Sequence, residues 1–184
     1  MNKHNLERFL KPPEGAHASA FLMVFPRITG IGQSEIEQHF AISNLEEASA
    51  YLRHEELGRG LIGITTKLLE IPSNNALEIF DPPEVSLLHA CMTLFAQVKE
   101  APSCFQNIIE KFFDGIYDGE TLDILSDIEA LEIAEKHGVK PENIITFIFD
   151  PDKPSDEQLQ SFKEMFAKRT GLELDLEQNK TENE

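Results

Sequence analysis

Tryptophan is absent from this 184-residue chain and cysteine occurs only twice. Cys91 and Cys104 form neither a CxxC pair nor a zinc-ligand spacing, so no metal or disulfide framework is expected to organise the fold. Cys91 lies inside an apolar helical pattern and is expected to be a buried thiol, which fits a reducing compartment. Long apolar runs are missing too: nothing approaches the ~20 residues of a membrane helix. The start, MNKHNLERF, lacks the apolar core of a secretory signal. These absences point to a soluble, cytoplasmic chain with no membrane partner. Positive charge is also scarce. Sixteen Lys and Arg stand against thirty-three Asp and Glu, for a net charge of −17 and a pI near 4.7. Phosphate backbones repel such a surface and no basic cluster escapes the balance, which excludes nucleic acid as a partner. The charge serves solubility, or it forms an acidic face for a basic protein partner.

Phenylalanine fills the place of the missing tryptophan. Thirteen Phe and a hydrophobic share of 41% supply a core, and a chain of this length buries about 70% of its unfolded surface. Leu6–Lys11 reads as a short helix ended by Pro12-Pro13. Ala18–Phe25 is an unbroken apolar stretch that suits one buried helix or a strand. Pro26 and Gly30-Ile31-Gly32 then break the chain. Ser34-Glu35-Ile36-Glu37 and Ser43-Asn44-Leu45-Glu46 both read as capping boxes, implying two short helices with a tight bend between them. The second is expected to run to Leu52.

The stretch 54–70 predicts a helix with Leu57, Leu61, Ile64 and Leu68 on its inner face. Gly58, Gly60 and Gly63 weaken it by up to ~1 kcal/mol each, and they permit close packing. Pro72–Asn75 is a turn. Asp81-Pro82-Pro83-Glu84 opens the clearest helix, to Val98, with Val85, Leu88, Met92 and Phe95 inward. Pro102-Ser103 opens another, with Phe105, Ile108, Ile109 and Phe112 inward, before a loop at Asp114–Gly119. Ser126-Asp127-Ile128-Glu129 reads as a further capping box, starting a helix that runs to Gly138. Beyond it, Ile144–Phe149 and Leu172–Leu176 have strand patterns, with a helix from Ser155 to about Thr170 between them. The polar tail Glu177–Glu184 is compositionally disordered.

One set of segments is distinctive in combination. Phe25-Pro26-Arg27, Gly30-Ile31-Gly32-Gln33-Ser34, Phe40-Ala41-Ile42-Ser43 and Ala48-Ser49-Ala50-Tyr51-Leu52 come first. His54-Glu55-Glu56-Leu57-Gly58, Met92-Thr93-Leu94-Phe95 and Phe112-Phe113-Asp114-Gly115 follow. Together they resemble a bacterial family of unknown function whose members often carry the mistaken label calpastatin. The resemblance covers about residues 5–125 and implies a small, mostly helical fold, with helix favoured for Ala18–Phe25. The family's Trp-rich segment before Phe-Pro is here HASAFLMVFP, its Gln after Phe-Pro is Arg27, and the segment before His17 is shortened. A family site built on that Trp-rich segment would be lost or changed here.

The Gly30–Ser34 loop is the strongest local site candidate, because free amides at a helix start attract phosphate or carboxylate. Arg27 can add charge, with Gly30, Gly32 and Ser34 shaping the loop and His17 and His54 as further candidates. The competing reading is a capped turn in which glycine supplies unusual backbone angles. Arg53-His54 before Glu55-Glu56 can supply acid–base groups or simply exposed charges at a helix junction. His89 reads as a hydrogen-bonded core or boundary residue, and His39 and His137 as solvated charges near helix ends. Asp150-Pro151-Asp152 after a strand superficially resembles a phosphatase of the haloacid-dehalogenase type, but too few residues follow for that domain; turn and cap roles for Asp150 and Ser155 fit better.

The sequence thus predicts a mostly α fold: a compact multi-helix domain over 1–125, with a small C-terminal α/β extension over 126–176 packed on it and a tail from 177. No cofactor and no metal are implied. The leading functional reading is a non-enzymatic protein-interaction or binding module. The alternatives are a site for a small anionic ligand, nucleotide or ADP-ribose-like, at Gly30–Ser34, and a type IV effector translocated by its polar tail.

Overall fold

A computed structural model describes residues 6–10, 20–32, 34–136, 160, 163 and 164. The chain divides into two units, Met1–Ile128 and Glu129–Glu184. In chain order the elements are α1 (Glu7–Leu10), α2 (Ala20–Val24), α3 (Glu35–His39), α4 (Leu45–Arg53), α5 (Glu55–Glu70), a 3-10 turn (Ala76–Glu78), α6 (Pro82–Ala96), α7 (Cys104–Phe112) and α8 (Gly119–Lys136). The fold is mostly α, as its periodicities require, and no strand occurs among the described residues. The expected strands at 144–149 and 172–176, the helix 155–170 and the tail 177–184 lie outside the described residues.

The first unit is built around α6. Six consecutive residues, Ala90–Phe95, are all buried, so the C-terminal half of this helix is enclosed on every side rather than striped. It packs on α4 and α7, while α5 packs on those same two helices. A run of aromatic rings ties the elements together. Phe9 meets Tyr51 edge-on at 5.0 Å, Tyr51 lies 5.4 Å from Phe95, and Phe95 stacks on Phe105 at 5.6 Å. Contacts of this kind add to the burial of large apolar area.

Local chemistry sets the boundaries, and in three places it differs from the sequence reading. The Ser34 capping box forms as expected, with Ser34 accepting from the Glu37 amide and the Glu37 carboxylate reaching back. The second start is displaced by one residue: Asn44, not Ser43, caps α4, its Oδ1 accepting from the Glu47 amide at 2.9 Å. An Asn amide oxygen serves as well as a hydroxyl here, and an Asn44-to-Glu47 spacing satisfies the same pattern. His54 lies outside α5 and caps it, Nδ1 accepting from Glu56 and Leu57 at 3.3 and 3.4 Å. The largest correction concerns α8, which begins at Gly119 rather than Ser126. Asp118 caps it, Oδ2 accepting from the Thr121 amide at 2.9 Å and the Thr121 hydroxyl at 2.6 Å. With the first turn nucleated there, the box at Ser126 becomes mid-helix sequence. On α5 the inner face is Leu57, Leu61, Thr65 and Leu68; Ile64, expected inward, is exposed.

The C-terminus of α5 is closed from a distance. Lys111 on α7 donates to the carbonyls of Leu68 at 3.3 Å, Leu69 at 2.8 Å and Ile71. A cation at this end also meets the negative pole of the helix. Replacing Lys111 with Met leaves these part-buried carbonyls without the donor they share. We expect a loss of about 2 kcal/mol, read as a lowered urea midpoint with an unchanged m-value.

Candidate functional site

The Gly30–Ser34 loop is framed by a single parallel bridge between Ile28 and Ile42. Thr29 donates to the Ile42 carbonyl and Ile42 donates to the Arg27 carbonyl, each at 2.8 Å. The two Ile side chains are fully buried. The loop and α3 are thereby closed into a tight excursion whose base is core. Gly30 has φ +98°, a conformation that favours glycine, and a Cβ there would lie 3.4 Å from Ile124 Cδ1 on α8. Ile124 therefore packs over the first glycine.

Three of the expected site residues converge on one group outside the expected set. Arg27 Nη2 pairs with Glu37 Oε1. The Ser34 amide and hydroxyl both donate to Glu37 Oε2, at 3.0 and 2.8 Å. A Cβ at Gly32 would sit 2.5 Å from Glu37 Cβ and 3.0 Å from Arg27 Nη2, so glycine is required for the carboxylate to fold back. The loop thus gathers donors around an anion, and the anion is the protein's own. Glu37 was legible as the reach-back member of the capping box; the ion pair to Arg27 was not, because it depends on the 28–42 bridge. Arg27 Nε is buried with no partner among the described residues. His17 lies outside the described residues.

His54 stands elsewhere, at the head of α5. With Glu55, Glu56, Arg59, Gly60, Gly63, Ile64 and Lys67 it lines a groove of about 940 Å3. Neither Gly60 nor Gly63 has any atom within 4 Å of a Cβ position, so the helix backbone itself is the groove floor. Arg59 and Glu55 pair at 3.1 Å, both largely exposed, a contact of little energetic weight.

His89 is a boundary residue, as expected. Its ring stacks on Phe113 at 4.0 Å, Nε2 meets the Ile116 carbonyl at 2.7 Å, and Nδ1 lies 3.9 Å from Asp118. His39 differs from the solvated residue expected. It is half-buried, edge-on to Phe40 at 4.9 Å, with Nε2 buried and unpartnered among the described residues.

Displaced acidities fall on buried groups rather than on a cleft. Burial pushes the Cys91 thiol well up and raises Cys104. It raises the Tyr51 phenol, with nearby Cys91 adding to the effect. Burial would also raise Glu47, but the Ser43 amide and the Arg8 guanidinium outweigh it and hold that carboxyl below its ordinary value. No group of three or more His, Cys, Asp or Glu among the described residues can hold a metal ion. None of the described helices is long and apolar enough to cross a membrane.

Comparison with known proteins places the chain by family rather than by activity. Residues 4–125 match the profile of DUF1810, described as a protein of unknown function. Among solved structures the chain is similar to the conserved hypothetical protein Rv1873 from Mycobacterium tuberculosis. The two share 36% identity with a TM-score of 0.56, over 57% of this chain and 75% of that one. No curated protein matches the chain.

Proposed function

We propose that this chain, which belongs to the DUF1810 family of proteins of unknown function, is a non-enzymatic binding module whose partner seats on the outer flank of α5. The observation that carries this reading is the α5 groove itself, floored by two bare glycines with Ile64 exposed at its side. Large groups on a helix surface normally keep a partner's backbone away, and here they are missing. Glu55 and Glu56 stand at one end and Lys67 at the other. A segment apolar at its centre, with a basic end toward Glu55 and Glu56, complements this surface. The net charge of −17 favours encounter with a basic partner.

Titration of the 15N-labelled chain with a panel of basic amphipathic peptides tests this. Amide shifts confined to His54–Lys67, and abolished by Ile64→Lys, support the reading. A panel that perturbs no α5 amide defeats it.

The small-anion reading at Gly30–Ser34 draws its support from the donors gathered round Glu37, and an incoming anion would have to replace that carboxylate. A thermal-shift screen against nucleotides, NAD, ADP-ribose and phosphate, run on the native chain and on Glu37→Gln, separates the two readings. A ligand at a hundred times its Kd stabilises by ~2.7 kcal/mol. If the loop is an anion site, Glu37→Gln gains that shift and Arg27→Ala loses it. If it is a capped turn, neither variant responds. The effector reading rests on the 177–184 tail, and deleting those residues should block export only if it holds.

A further inference from the structure

The helix α1 is held the way a bound peptide is held. It has four residues, far fewer than a helix needs to persist in water without packing. Its anchors are side chains. Phe9 is 3% exposed, set edge-on to Tyr51 at 5.0 Å and tilted against Phe40 at 6.0 Å. Arg8 Nη2 donates to the Ala41 carbonyl at 2.8 Å and pairs with Glu47 Oε1 at 2.7 Å. Its guanidinium also lies 4.5 Å over the Phe9 ring.

Phe40, Ala41, Glu47 and Tyr51, which meet these two side chains, fall within one short stretch of chain. Glu47 is also held by contacts that involve no arginine. Its amide donates to Asn44 at 2.9 Å, and its Oε2 accepts from the Ser43 amide at 2.7 Å. This leaves Oε1 presented beside an aromatic slot, on a residue that is only 2% exposed. A buried carboxylate asks for a guanidinium, which can pair with it while also donating to a neighbouring carbonyl. The slot beside it asks for an aromatic ring.

We propose that this socket is a peptide-recognition site for segments in which an arginine is followed directly by an aromatic residue. Leu6–Leu10 is its resident occupant, which a partner's segment of the same chemistry displaces. Charge favours such a partner, since an Arg-bearing segment approaches a chain of net charge −17. Tethering gives the resident an effective concentration on the order of millimolar, so a free peptide meets a filled socket. The site is separate from the α5 groove, and its test does not depend on the groove.

The experiment uses the full chain carrying Arg8→Ala and Phe9→Ala, which empties the socket, and a fluorescein-labelled peptide with the sequence of residues 4–12. The variant should bind this peptide saturably. The native chain should bind it at least about tenfold more weakly. A peptide with its arginine replaced by alanine should lose about tenfold or more. A folded variant that ignores the peptide, or that binds the alanine peptide equally well, overturns the proposal. Concentration-dependent dimers of the native chain that vanish in Phe9→Ala would make the occupant a second copy, overturning it as well. Should the double variant not fold, hydrogen exchange on the native chain decides. Amides of Glu7–Leu10 opening at least about tenfold faster than those of α4 support a detachable occupant. Amides as protected as those of α6 overturn it.

Discussion

Gly58→Ala lowers the stability of this protein by about 3 kcal/mol, a large share of the roughly 5–15 kcal/mol that holds an ordinary domain folded. A Cβ built at Gly58 falls 2.0 Å from the Leu52 carbonyl oxygen, 2.6 Å from its carbon and 3.0 Å from its Cα. All three are backbone atoms, so no side chain can swing aside. Relief requires α4 and α5 to part, yet His54 links them directly. Its amide donates to the Ala50 and Tyr51 carbonyls, and its carbonyl accepts from the Gly58 amide at 2.9 Å. Tyr51 and Leu57, on either side of the junction, are core residues, so parting the helices opens the core.

The control lies on the same helix. Gly60→Ala and Gly63→Ala place a methyl in open space, and each should stabilise by about 0.5–1 kcal/mol, since helical glycine forfeits that much through the unfolded chain. Denaturant melts of the three variants read the sign directly. A Gly58→Ala chain as stable as Gly60→Ala would refute the close approach of α5 to Leu52.

These glycines show where sequence stops being sufficient. Three glycines within one helical pattern read alike, as weak helix formers that permit packing. Only the angle between α4 and α5 decides which of them is used, and that angle depends on contacts distant in sequence. Helix content and most helix positions were legible, because the capping residue and the apolar period are local. The errors were local competitions. Asn44 displaced Ser43 by one residue, and Asp118 nucleated α8 ahead of the Ser126 box. Ile64 reads as inward because it is apolar, while Thr65, one position on, is the residue that faces the core beside Met92, 4.0 Å from its sulfur. The site candidates fared according to how far apart their parts lie in sequence. Arg27, Gly32 and Ser34 meet, yet the group at their centre, Glu37, reads in sequence only as a cap. The Arg8–Glu47 pair carried no sequence signal, since neither residue stands in a motif that names the other.

Glu47→Ala is the second large effect expected, about 3 kcal/mol, since it removes the carboxylate of a largely buried pair. The Ser43 amide loses its acceptor and Arg8 loses the carboxylate it pairs with at 2.7 Å. The pair also fixes the sign of a pH dependence. Glu47 is held below its ordinary value of 4.5 despite burial, by the Ser43 amide and by Arg8. As pH falls, the unfolded chain therefore takes up this proton first. Between the two values the unfolded state binds more protons, so stability rises with pH there. The contribution is fully present above pH 4.5 and drains away as pH drops through the folded value. Glu47→Gln keeps an acceptor for the Ser43 amide and removes the titration. It should be less stable than the native chain at pH 7, and the gap should narrow steadily below pH 4.5. Urea melts from pH 7 down to the acid limit of folding supply the comparison, with Glu55→Gln as the exposed reference. A constant gap across that range would mean that Glu47 is not the carboxylate on which α1 is anchored.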